Sequence, residues 1–82
     1  MFWVYIIRNE AGRYYIGHTD NLEQRLMFHN TGQSHYTVRK GPWTLVLSEE
    51  YASRSEAVKR ELQIKHWKSK VMIEALIRQE NP

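Results

Sequence analysis

The sequence predicts a small α+β domain, a three-stranded antiparallel-type sheet with flanking helices in the order β-β-α-β-α-α. Three observations carry that expectation. Residues 2–17 hold aromatic and β-branched side chains on both sides of a tight Glu10-Ala11-Gly12 turn, as a hairpin does. Three later stretches each follow capping residue types (Thr19-Asp20-Asn21, Ser53 and Ser69) and carry apolar side chains at helical spacing. A length of 82 residues leaves room for one domain, 1–82, and a thin core to which three Trp, five Tyr and two Phe must contribute heavily.

Phe2 to Arg8 reads as the first strand, with Phe2, Val4 and Ile6 on one face and Trp3, Tyr5 and Ile7 on the other. Both faces are apolar, so it is expected at the centre of the sheet, covered on both sides. A three-residue turn with Gly12 in the left-handed position would set Ile7 opposite Tyr15 and Tyr5 opposite Gly17. Tyr5 and Tyr15 would then share a face as diagonal neighbours, and a one-residue slip would part them. The second strand stops at Gly17. Thr19, Asp20 and Asn21 are all helix-capping types, and a helix follows from Leu22 to Asn30, closed by Thr31-Gly32. Leu22 and Leu26 form its buried stripe, and Arg25 and His29 lie on the flank. A tyrosine, a guanidinium and an imidazole in so compact a unit suit a phosphate.

Thr31 to Pro42 is polar, basic and bounded by Gly and Pro, hence a loop. Its His35, Tyr36, Arg39 and Lys40 form either a clamp for a backbone phosphate and a base or an ordinary exposed connection. Trp43 to Tyr51 reads as the third strand, with Trp43, Leu45 and Leu47 alternating against Thr44, Val46 and Ser48. The capping box Ser53 to Glu56 opens a second helix that runs to Trp67. After Lys68, Ser69 caps a third, Lys70 to Gln79, with Met72, Ile73, Leu76 and Ile77 as its apolar residues.

Cysteine is absent, which excludes a disulfide framework and a thiolate metal site. No apolar run approaches the roughly 20 residues of a membrane span. Phe2 to Ile7 is too short for a signal-peptide core and lacks a preceding basic region. A soluble cytoplasmic protein with no membrane partner is expected. The net charge of +3 is concentrated in residues 54–70, where Arg54, Lys59, Arg60, Lys65, Lys68 and Lys70 face only Glu56 and Glu61. Such a strip favours polyanions by counterion release, or is simply a solvated helix face.

Glu61 is the anomaly of the second helix. At ~100° per residue, Ala57 and Ile64 lie on one side of the inward arc, Val58 and Leu62 on the other, and Glu61 falls between them. A buried carboxylate needs a partner. Lys65, one turn on, can supply it as an i,i+4 pair. Alternatively Glu61 looks into a cleft and holds a hard cation, since Mg²⁺ needs only one or two carboxylates beside water and substrate phosphate.

These residues resemble the GIY-YIG nuclease domain. Tyr15-Ile16-Gly17 is the second half of the signature, and Trp3-Val4-Tyr5 stands where the first half has Gly-Ile-Tyr, keeping the tyrosine. Ten positions separate Tyr5 from Tyr15 and ten more lead to Arg25, as in the family pattern. The likeness covers essentially the whole chain and is closest to the small single-domain branch. It implies the GIY-YIG fold and Mg²⁺- or Mn²⁺-dependent cleavage of phosphodiesters, with Tyr5 as base or orienter of water. Arg25 would hold the phosphate, His29 assist Tyr5, Tyr15 join the cluster and Glu61 bind the metal. Arg25 or His18 would supply the positive charge that a tyrosine base needs. His18, His35, Arg39, Lys40 and Lys65 would contact nucleic acid. Some relatives use a late asparagine, for which Asn81 is the candidate, and a C-terminal extension is expected to be lacking.

The first expectation is therefore a structure-directed DNA endonuclease of repair or recombination type. A protein partner can supply its specificity, since no sequence-reading module is present. The alternatives are a nucleic-acid-binding module without turnover and a protein-interaction adaptor using exposed aromatics.

Overall fold

The computed structural model describes residues 1–80, so Asn81 lies outside the described residues. The elements are β1 (Phe2–Asn9), β2 (Tyr14–Thr19), α1 (Leu22–Asn30), β3 (Trp43–Tyr51), α2 (Arg54–Trp67) and α3 (Lys70–Glu80). Their order is the expected one. β2 runs past Gly17 to Thr19, because His18 and Thr19 still pair with Val4 and Trp3. The sheet is antiparallel in the order β2-β1-β3. β1 is central, as its two apolar faces require, and Val4, Ile6 and Ile7 are fully buried.

The hairpin turn sets the register of the site. Gly12 takes φ +82°, and the Asn9 N–H donates to Arg13 O at 3.1 Å. The Arg13 N–H also donates to Asn9 Oδ1 at 2.8 Å. Ile7 then faces Tyr15 and Tyr5 faces Gly17, and the Tyr5 and Tyr15 ring centroids stand 6.3 Å apart on one face.

Two thin cores flank the sheet. Val4, Ile6, Ile16 and Leu47 pack with Ala57 and Ile64 of α2 and with Ile73 and Leu76 of α3. On the opposite face Tyr5, Ile7 and Trp43 pack with Leu22 and Leu26 of α1 and with Leu45. Trp43, Leu45 and Leu47 therefore do not share a face as simple alternation requires. A bulge between Ile6 and Ile7 pairs them with Leu47 and Leu45, skipping Val46 and reversing the phase of β3 at its middle. One further position departs from the helical pattern. Leu62 is placed on the inward arc by helical spacing but is 49 % exposed, because the neighbouring face of α2, with Ala57 and Ile64, carries the contacts.

Candidate active site

The site is assembled at the end of β2, an edge strand, where α1 and α2 approach from opposite faces. Thr19 Oγ1 accepts from the Asn21 N–H at 3.1 Å, and Asn21 Oδ1 accepts from the Gln24 N–H at 3.0 Å, fixing the start of α1. Asn21 is thus the cap among the three candidates, and Asp20 instead borders a cleft of about 280 Å³. Tyr5, Tyr15, Gly17, His18, Arg25 and Glu61 line this cleft as well, together with Thr19 and Arg54.

Tyr5 crosses the backbone of Gly17, so closely that a Cβ there would lie 2.6 Å from its hydroxyl. The hydroxyl shares a 2.7 Å hydrogen bond with His29 Nε2, and His29 Nδ1 shares one of 2.8 Å with Thr37 Oγ1. His29 is the buried residue of α1, whereas Leu22 and Leu26 are only half-buried, so it does not sit on the flank of the helix's inward stripe. An imidazole can take a core position here because both ring nitrogens are satisfied. Thr37 is held in turn: Trp43 Nε1 donates to its carbonyl at 3.2 Å. Asn30 clamps the base of the 31–42 loop through two hydrogen bonds with the Trp43 backbone, accepting at 2.6 Å and donating at 3.0 Å.

Burial pushes the Tyr5 phenol well above its ordinary range. Tyr15 and Glu61 push the same way, and Arg25 opposes without prevailing. The expected lowering of Tyr5 by a nearby cation is therefore overruled by desolvation. Burial also lowers His29 below the ordinary imidazole value, and Arg25 adds to the effect. Tyr5 and His29 form a neutral pair at pH 7.

Glu61 faces the cleft and is also paired. His18 Nδ1–H donates to its Oε1 at 2.6 Å, and Lys65 Nζ donates to its Oε2 at 2.6 Å. The expected i,i+4 pair with Lys65 exists, and the Glu61 carboxylate borders the same cleft as Tyr5 and Arg25. His18 therefore engages Glu61, and the Tyr5 hydroxyl is bonded to His29. No group of three or more His, Asp or Glu side chains arranged to hold a metal occurs among the described residues. Lys40 lies over the Tyr36 ring at 4.8 Å, while His35 and Arg39 are exposed and do not line the cleft. Thr37, Arg54 and Asp20 were not singled out as site residues from sequence. Thr37 carries no local pattern, and Arg54 was hidden inside the capping box that opens α2.

Residues 1–74 match the GIY-YIG catalytic domain. The chain belongs to this family. A UPF0213 protein of Staphylococcus haemolyticus is 41% identical over 64 residues, covering 77% of this chain and 78% of that protein. A UPF0213 protein of Halobacterium salinarum is 41% identical over 66 residues, 79% and 86% of the two chains. The solution NMR structure of a UPF0213 protein from Bacillus halodurans matches with a TM-score of 0.64 at 32% identity, covering 100% of this chain and 89% of that one. The chain thus falls in the small UPF0213 branch of this nuclease family. In this GIY-YIG domain the two half-motifs lie on the paired strands β1 and β2, with Tyr5 across the glycine and Tyr15 beside it on the same face. No helix among the described residues is long and apolar enough to cross a membrane.

The buried histidine gives this GIY-YIG domain an acid-sensitive fold. An unfolded imidazole titrates near pH 6.5, and folded His29 titrates lower. The unfolded chain therefore binds more protons as pH falls below about 6.5, and stability drops with it. Above that value the contribution of His29 is fully present. Thermal unfolding across this range should show the slope, and His29→Gln should remove part of it. An unchanged slope would show that His29 is not held neutral.

Proposed function

We propose that this GIY-YIG domain is an endonuclease that hydrolyses phosphodiester bonds in DNA with Mg²⁺ or Mn²⁺. Its specificity would come from substrate structure, in repair or recombination, or from a protein partner. The observation that supports this reading most is convergence: Tyr5 from β1, Arg25 from α1 and Glu61 from α2 border one cleft. A core has no need of that set, and phosphodiester hydrolysis does.

The chemistry follows from the two protonation states. Tyr5 holds its proton, so it is no standing base. With His29 Nδ1–H donating to Thr37 Oγ1, Nε2 is left to accept from the Tyr5 hydroxyl. Tyr5 then takes a proton from the attacking water as it gives its own to His29, and no free phenolate accumulates. Arg25 neutralises charge that develops on the phosphate, and Arg54, which lines the same cleft, adds a second cation. Tyr15, with its ring 4.8 Å from that of His29, closes the pair from one side.

The donor set fits a hard divalent cation. Glu61 is an oxygen ligand at the cleft wall, with Asp20 on the same cleft, and each carboxylate oxygen has lone-pair capacity beyond the bond it already accepts. Glu61 would hold the ion, which when bound supplies Lewis-acid stabilisation of the phosphate and the leaving oxygen. His18 fixes the orientation of the carboxylate, as an outer-shell partner does.

The test is nicking of labelled branched and linear DNA with Mg²⁺ or Mn²⁺, comparing the wild type with Glu61→Gln. A loss of about a thousandfold is expected, with the melting temperature little changed. One observation favours a second reading, a binding module without turnover: both Glu61 oxygens are already engaged by His18 and Lys65. DNA binding with no metal-dependent cleavage, indifferent to Glu61→Gln, would establish that reading instead.

A further inference from the structure

The basic strip of residues 54–70 does not form one face in the fold. Arg60 donates to Glu49 at 2.8 Å, and Arg54 turns to the cleft. Lys65, Lys68 and Lys70 join Arg13 of the hairpin turn and Lys40 of the 31–42 loop around a groove of about 430 Å³ beside β2. Five cations from three separate parts of the chain thus converge, Lys65 among them while also donating to Glu61, and no carboxylate lines the groove among the described residues.

The groove and the cleft are connected. A hollow of about 410 Å³ between them shares Tyr15 with the cleft, and Tyr36 and Lys65 with the groove. Tyr36 is 68 % exposed, and it is the only mostly exposed Phe, Trp or Tyr among the described residues. Its ring lies 5.7 Å from that of Tyr15. At the far end, Lys68 stands at the corner between α2 and α3 with φ +49°, a position that usually falls to Gly or Asn.

We propose that the open edge of β2 is a binding track for one unpaired nucleic-acid strand leaving the cleft. It rests on the nucleic-acid reading of the cleft. Lys40, Lys65, Lys68 and Lys70 contact the phosphates, and Tyr36 stacks a base. The cations alone would accept any polyanion. Tyr36 narrows the choice, because a duplex hides the faces of its bases and an unpaired strand offers them. The substrate class that follows is DNA with a single-stranded arm adjoining the scissile bond.

Binding of a labelled thymidine oligonucleotide, measured by fluorescence anisotropy in EDTA, tests the track without cleavage. The comparison ligands are an abasic strand of equal charge, a duplex of equal length and poly-glutamate. The wild type should prefer the thymidine strand to all three, and Tyr36→Ala should lower that affinity about tenfold while leaving the abasic strand unaffected. Lys68→Asn combined with Lys70→Gln should weaken both single strands and reduce the salt dependence by about two counterions; asparagine tolerates the left-handed backbone at that corner. Equal binding of thymidine and abasic strands, tighter binding of the duplex, or equal binding of poly-glutamate would overturn the proposal. The nuclease reading stands or falls separately. If these variants bind normally while Glu61→Gln abolishes nicking, the track is wrong and the enzyme remains. If they lose binding in a protein that never cleaves, the track remains and the enzyme does not.

Discussion

Tyr5→Phe should reduce nicking by about 10²–10⁴-fold, the span that a positioned proton-transfer group contributes. The ring stays, so the packing on Gly17 and Ile7 is kept. Only the hydroxyl goes, and with it the 2.7 Å bond to His29 Nε2. A buried ring nitrogen is then left without that partner, at a cost of ~1–2 kcal/mol. A loss of activity far larger than the loss of stability is the signature of a proton-transfer role. His29→Gln should cost nearly as much, and the double variant little more than either single one, because the two groups act as one relay. Single-turnover nicking rates and thermal melts of the three variants measure this. If Tyr5→Phe retains most of the activity, the relay is wrong even if the domain is a nuclease.

The second large effect should come from a residue with no functional group. At Gly17 an added Cβ would meet Tyr5 Oη at 2.6 Å and Cζ at 2.8 Å, distances that real side chains do not tolerate. The ring must move, and it is pinned by the sheet below and by His29 beside it. Gly17→Ala should therefore cost ~1–3 kcal/mol as overpacking, which lowers the melting temperature by roughly 4–8 °C per kcal/mol in a domain this small. It should also break the alignment of Tyr5 with His29 and abolish nicking. Adding Tyr5→Leu to Gly17→Ala should recover stability without recovering activity. A Gly17→Ala protein with an unchanged melting temperature and normal nicking would show that the close approach has no consequence.

Much of this was legible in the sequence where a local rule decides the outcome. The hairpin register follows from one glycine and a three-residue turn, so the meeting of Tyr5 with Tyr15 could be read off directly. The starts of α1 and α2 follow from the capping types before them, among which Asn21 and Ser53 accept from the first turns, and the end of α1 follows from Thr31-Gly32. Glu61 was legible because a charge in an apolar arc demands an explanation. What stayed hidden depends on contacts between distant segments. The burial of His29 needs Thr37, and Thr37 needs the carbonyl bond from Trp43. The groove beside β2 needs a turn, a loop and a helix junction brought together. Gly17 reads in sequence as a strand terminator; the hairpin register sets Tyr5 opposite it, but the 2.6 Å approach of the hydroxyl depends on how the ring folds over the strand toward His29.

The bulge in β3 has a consequence for how the molecule is put together. It joins two half-strands of opposite phase: Trp43 and Leu45 belong to the layer that holds α1, and Leu47 to the layer that holds α2 and α3. One ply of backbone is thereby stitched to both sides. The layer carrying Tyr5 and His29 is fastened by the first half of the seam, and the layer carrying Glu61 by the second. The cleft lies where the two layers curl around the free selvedge of the sheet, so each contributes to it without either having to cross the strand that binds them.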